Sequence, residues 1–386
     1  MIKARPEDFI VEERSDLPLR ERGEYRVYEL TKSDWNTLDL IHFLSRSATL
    51  PSDRFSYGGK KDKHGLTRQF IAIRSPRDFS REGKNFTLQS IGFMDRPMGP
   101  ALIQGNAFTV VIRGLDQPGI IETNAARIMK TGFPNFFDDQ RFRSYDPARG
   151  FFAEKILRRH WNGALQVFLT SVRDDDSKRE RRRRQALFDN WRDWPACIAL
   201  AVAPFEKNIF SYLNAHPKNL VAALHLIPEE EVSMLFAAFQ SHLWNETLRR
   251  LIRLKVDTVK EITGKEGGYR FWQDLDERTL DDLKNAEIPT AAAKMNFSDD
   301  RVRSIHEQIL KEKDLRPGSF RTRALRKVYF RSFRRKALVI PGDFRILGRD
   351  EDELHCGKKK LMVSFFLPRG SYATMLIKGL CLAWRR

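Results

Sequence analysis

With 386 residues, 41% hydrophobic and 31% charged, the chain is long enough for two domains with interiors of their own and lies outside the low-hydrophobicity signature of disorder. Lys and Arg total 69 against 51 Asp and Glu, a formal charge of +18, so a polyanion is the leading partner, although charge alone does not separate nucleic acid from an anionic membrane or an acidic protein. Three distant cysteines, Cys197, Cys356 and Cys381, form neither a disulfide framework nor a C-x-x-C metal clip, and the chain has no N-terminal apolar signal core and no apolar stretch of about 18 residues, so a reducing compartment is expected, without export or membrane spanning.

From residue 1 to about 150 the chain alternates short apolar segments with Gly and Pro, the texture of mixed sheet with helices. A helix is predicted to start near Asn36 and end before Pro51, with Leu38, Ile41 and Leu44 on one side. In FTVVIRGL (108–115), Phe108, Val110 and Ile112 share one face of a strand.

Between about 151 and 325 the texture turns helical, with Val232, Leu235, Phe236, Phe239 and Leu243 along one apolar stripe. The run around Arg181–Arg184 follows Asp174, Asp175, Asp176 and Ser177, which suit a helix start. Consecutive residues turn by about 100° on a helix, so its arginines cannot share one face; a solvated charged helix is the plainer reading and an RNA-backbone contact the alternative. After about 326 strand-like texture returns in KALVIPGDFRIL and KKLMVSFFLP. The order predicts a helical domain inserted into a sheet domain built from both chain ends, 1–150 with 326–386, around an insertion at 151–325.

The segment RFSYGGKKDKHGLTRQFIAIR (54–74) places two strand-like pieces around a loop, with Asp62 the only acid among Lys60, Lys61, Lys63 and His64 and with Gly58, Gly59 and Gly65 freeing the backbone. A carboxylate in so positive a field suits a nucleophile or base, and a solvated turn is the equally local alternative.

YGGKKDKHGLTRQ resembles the loop that carries the catalytic aspartate in the TruD family of pseudouridine synthases. Six further segments are similar to that family's motifs, in the family's order: KARPEDFIVEE (3–13), GEYRVYELTKSDWNT (23–37), GNAFTVVIRGL (105–115), GFPNFFDDQRF (132–142), FQSHLWNETL (239–248) and FFLPRGSYATMLIK (365–378). The resemblance implies an α+β fold, a pseudouridine synthase catalytic domain with a mixed antiparallel sheet interrupted by the helical TRUD insertion. It implies isomerisation of a uridine in structured RNA, foremost position 13 of tRNA, by a cytoplasmic monomer without cofactor, metal or protein partner.

Residue by residue, the resemblance makes Asp62 the catalytic carboxylate and Lys3 its ion-pair partner, with Asn135 organising the site and Phe137 stacking on a flipped-out base. Lys60, Lys61, Lys63, His64, Arg141 and Arg143 are the expected RNA contacts. Asn36, Thr37, Gly105 and Asn106 are read as local structure, a helix cap and a turn, and Gly370, Ser371 and Tyr372 as a loop or strand-to-helix turn. The chain departs from the family pattern at Arg143 and Ser144, where glycine is expected, at Gly65, commonly alanine, and at Lys378, commonly arginine. A noncatalytic RNA-binding protein on the same scaffold is the competing reading, and it gives Asp62 no task. A nucleotide-driven RNA enzyme would need a G-x-x-x-x-G-K-[ST] phosphate cradle, which the sequence lacks.

Overall fold

The structure, a computed structural model, describes residues 2–322, 325 and 330–384. By internal contacts the chain divides into a unit made of both ends, residues 1–133 and 339–386, and a second unit, 134–338. Sequence texture places the same joints at 150 and 326, and residue 326 lies outside the described residues.

The first unit is built on a nine-stranded sheet. Its order runs Gly342–Glu351, Lys359–Pro368, Ile103–Leu115, Phe9–Ser15, Leu66–Ile73, Tyr25–Lys32, Phe86–Met94, Arg81–Gly83, and Phe55–Tyr57 pairs off this path with Leu66–Ile73. Phe9–Ser15 joins Leu66–Ile73 in parallel and Ile103–Leu115 antiparallel, so the sheet is mixed. The C-terminal strands complete it beside Ile103–Leu115.

The predicted helix is Thr37–Ala48. It buries Leu40, Ile41 and Leu44 against Tyr28, Leu30, Ile71 and Leu88 of the sheet, with Leu40 rather than Leu38 leading the apolar stripe. Phe108, Val110 and Ile112 are buried in the strand, as alternation requires. Arg113 is also buried there, held by Asp8 at 2.8 Å and Asp352 at 3.0 Å, which ties the first and last segments of the unit through charge-assisted hydrogen bonds.

The second unit is mainly helical and centres on Glu229–Lys255, whose buried face includes all five residues of the predicted stripe. Ser177 caps the helix Lys178–Asp189 by accepting the backbone N–H of Glu180 at 3.1 Å. The arginine run on that helix is largely absorbed inside the unit. Arg183 pairs with Glu180 (2.6 Å) and Glu206 (2.9 Å), Arg184 with Asp176 (3.1 Å) and Glu180 (3.0 Å), and Arg181 bonds the Asp174 and Asp176 carbonyls. It therefore matches neither a simply solvated face nor a row of phosphate contacts. Among the described residues no helix is long and apolar enough to cross a membrane.

Candidate active site

The loop that carries Asp62 emerges where the sheet splits. Leu66–Ile73 gives one edge to Tyr25–Lys32 and divides the other between two short partners, Phe9–Ser15 opposite residues 66–68 and Phe55–Tyr57 opposite 71–73. At the gap between them the backbone N–H of Phe70 donates to the Glu13 carboxylate at 3.3 Å, in place of a strand partner. Glu13 is buried, and Lys61 reaches in from the loop to within 2.6 Å of it. A buried carboxylate needs such a partner, and its need draws the loop onto the sheet.

Further bonds fix the loop. Lys61 Nζ donates to Asn106 Oδ1 (2.7 Å), the Lys61 backbone N–H to Thr37 Oγ1 (3.0 Å), and Gln69 Nε2 to the Gly59 carbonyl (3.3 Å). Thr37 Oγ1 in turn donates to Gln69 Oε1 at 2.9 Å. Lys32, only 1% exposed, donates to the carbonyls of Asp62 (2.9 Å) and Trp35 (2.8 Å), and burial pulls its pKa down to about 8. Gly65 closes the loop against the first strand, where an added Cβ would lie 2.6 Å from the Phe9 carbonyl oxygen. Glycine, which has no Cβ, fits that approach.

With its backbone anchored, the Asp62 side chain points outward, 37% exposed. Lys3 Nζ lies 2.6 Å from Asp62 Oδ2 and 4.0 Å from the centroid of the Phe9 ring. Lys3 is therefore docked, and it takes φ of 63°, a left-handed conformation that costs a lysine roughly 1 kcal/mol or more. The arrangement is an accessible carboxylate on a rigid loop, with one oxygen held by an ammonium group.

Lys60, Lys63 and His64 are exposed on the same loop. Lys61 is not: its side chain is 8% exposed and its ammonium is taken up by Glu13 and Asn106. Asn36 bonds Asp39 rather than capping its helix, whereas Thr37 and Asn106, read from sequence as local structure, are tethers of the loop. Glu13, Lys32 and Gln69 were missed. Each is a polar side chain buried on the inward face of its strand, and each lies within a segment quoted above.

Asn135 and Phe137 lie in the second unit. Asn135 Nδ2 donates to the Lys336 carbonyl at 2.9 Å, and Arg335 Nη2 bonds both the Asn135 carbonyl (3.0 Å) and Oδ1 (3.1 Å). Phe137 is buried, 3% exposed, with the Arg335 guanidinium 3.6 Å from its ring centroid and Arg141 at 5.5 Å. One face thus meets a guanidinium rather than standing open for a base. Asn245, fully buried in the long helix, accepts the Phe137 N–H at 2.8 Å and donates to its carbonyl at 2.9 Å, as a strand neighbour would. Arg143 is exposed and 3.3 Å from Asp175.

Residues 1–380 match the family described as tRNA pseudouridine synthase D (TruD). The tRNA pseudouridine synthase D of Leptospira interrogans (serovar Lai) is 33% identical over 395 residues, covering 100% of this chain and 96% of that protein. That of Aquifex aeolicus is 28% identical, over 98% of this chain and 97% of its own length. A crystal structure from Methanosarcina mazei, a candidate tRNA pseudouridine synthase D (TruD), superposes with a TM-score of 0.71 at 25% identity, covering 98% of this chain and 92% of that one. With the order of seven motifs, the fold and the full-length match in agreement, the chain belongs to the TruD family of tRNA pseudouridine synthases.

Proposed function

We propose that this protein isomerises a uridine of tRNA to pseudouridine, with position 13 the first site to test and Asp62 as the catalytic carboxylate. The bond between N1 of the base and C1′ of the ribose breaks, the base turns, C5 bonds to C1′, and the C5 proton is lost while N1 gains one, so the reaction is an isomerisation with no net reagent. Asp62 Oδ1 is the oxygen left for the substrate, because Lys3 holds Oδ2 at 2.6 Å. Attack on the ribose carbon or on the base is open to that oxygen. Lys3 orients the carboxylate, and Lys60, Lys63 and His64 meet phosphates beside it.

The family resemblance assigns Asn135 and Phe137 to the same reaction. Stacking on the base would require the buried ring to be uncovered, foremost by movement of the Arg335 guanidinium off its face. Arg141 and Arg143 complete the assignment as backbone contacts. A cytoplasmic monomer suits the free cysteines Cys197, Cys356 and Cys381.

The observation that carries this reading is the half-exposed Asp62 carboxylate on a loop tethered from four strands and a helix. The test is to incubate the protein with unmodified tRNA transcripts, map pseudouridine at nucleotide resolution, and repeat with Asp62→Asn and Asp62→Ala. Both variants are expected to bind tRNA and form no product. Wild-type product formation by either would remove Asp62 from the chemistry.

A further inference from the structure

The second unit holds an open groove of about 1450 Å³ between the turn at residues 158–160 and the segment that runs from the end of the helix Asp300–Glu312 to Thr322. It is larger than the roughly 300–1,000 Å³ usual for small-molecule sites. Five permanent cations line it, Arg158, Arg159, Lys311, Arg316 and Arg321, against the acids Glu307 and Asp314. Arg158 is used internally, 3.4 Å from Glu154. Arg159, Lys311, Arg316 and Arg321 are exposed and make no side-chain hydrogen bond or ion pair among the described residues. The wall also carries His160 and the half-buried Trp161.

Two features set this groove apart from ordinary surface charge. Arg159 has φ of 59°, a left-handed position at which glycine or asparagine is cheaper and where no internal bond of its side chain offsets the cost. The cations are also collected from two stretches far apart in sequence, 158–159 and 311–321, whereas three arginines of the contiguous run Arg181–Arg184 are spent on internal carboxylates and backbone carbonyls. Unpaired guanidinium groups converging on a concave surface match a polyanion whose phosphates each take a planar, two-pronged donor.

We infer that this groove is an RNA-docking site in its own right, in which Arg159, Arg316 and Arg321 hold the sugar-phosphate backbone of the tRNA substrate. The inference rests on the proposal that tRNA is the substrate, and it adds a binding surface to the loop around Asp62. Its contribution is to affinity and placement, since phosphate contacts position without reading sequence.

The test compares the wild type, the triple variant Arg159→Ala/Arg316→Ala/Arg321→Ala and the corresponding triple Lys variant, with tRNA dissociation constants measured over a series of salt concentrations. Each lost phosphate contact should flatten the log–log salt dependence by roughly 0.7–0.9, so the Ala variant, with three removed, is expected to lose roughly 2.1–2.7 from the slope and roughly tenfold or more in affinity at low salt. That loss should be several times larger than any loss in the single-turnover rate at saturating tRNA. The Lys variant should keep the slope, and the thermal midpoint should match the wild type, since exposed unpaired side chains contribute little to folding. A wild-type slope and affinity in the Ala variant would overturn the inference. If the wild type made no pseudouridine in tRNA while the slope still fell, the substrate assignment would fail and the groove would stand as an RNA site.

Discussion

The ammonium group of Lys32 lies 2.9 Å from the backbone carbonyl of Asp62, so the residue whose side chain faces solvent is held from behind by a lysine that is 1% exposed. Burying an ammonium is costly unless its donors are used, and here the Asp62 and Trp35 carbonyls use them. Lys32→Met should keep the shape and release the loop. We expect pseudouridine formation to fall by about 10²-fold, the scale associated with displacing a reacting group by an ångström, with tRNA affinity within a few fold of wild type. Full activity in that variant would show that the tether is dispensable.

The same lysine has a signature in stability. Its pKa is drawn down to about 8 from the ordinary 10.5, so between those values the unfolded chain binds more protons than the folded one. Stability from this group therefore rises as pH climbs through that window, the buried charge being lost. Urea midpoints measured from pH 7.5 to 10.5 should show this rise in the wild type and a smaller one in Lys32→Met. Parallel curves would contradict the burial of a charged Lys32.

Lys61 and Lys63 are neighbours of Asp62 with opposite fates. Lys61→Met leaves the buried Glu13 carboxylate without its cation and should cost about 3 kcal/mol in denaturant stability, with little change in the salt dependence of tRNA binding. Lys63→Ala should leave stability within about 0.5 kcal/mol and flatten the salt dependence by about 0.9. The reverse pattern would place the wrong lysine inside.

Phe137→Ala is expected to slow turnover at least tenfold while tRNA affinity changes by less than about threefold, because backbone contacts dominate affinity. Asn245→Leu, which strands the buried Phe137 N–H and carbonyl, should lower stability by about 2 kcal/mol or more and reproduce part of the turnover loss. Equal losses of affinity and rate in Phe137→Ala would mean that the ring only supports the fold.

His306 is fully buried beside Thr247, and burial brings its pKa down to about 4. It is neutral when folded and must gain a proton on unfolding below its ordinary 6.5, so stability is lost as pH falls from 6.5 toward 4. The loss is bounded at roughly 3 kcal/mol. His306→Gln should show a flatter acid limb than the wild type in thermal melts, and an unchanged limb would assign the acid sensitivity to other groups.

Much of the fold, and the residue on which the proposed site is built, are legible in the chain itself. The apolar stripes of Thr37–Ala48 and Glu229–Lys255 and the alternation at Phe108, Val110 and Ile112 follow from helical and strand periods, and the order of seven motifs names the family and singles out Asp62. Ser177 is legible as a cap because capping acts within one turn. Tertiary structure alone decided which polar residues serve that aspartate. Glu13, Lys32, Thr37, Gln69 and Asn106 come from five different strands or helix ends, and a period-2 or period-3.6 pattern records only whether a side chain faces inward, not which partner meets it there. The charge of Lys61 looks in sequence like that of Lys63; the split in the sheet turns one inward, because a buried carboxylate must be paired where water is excluded.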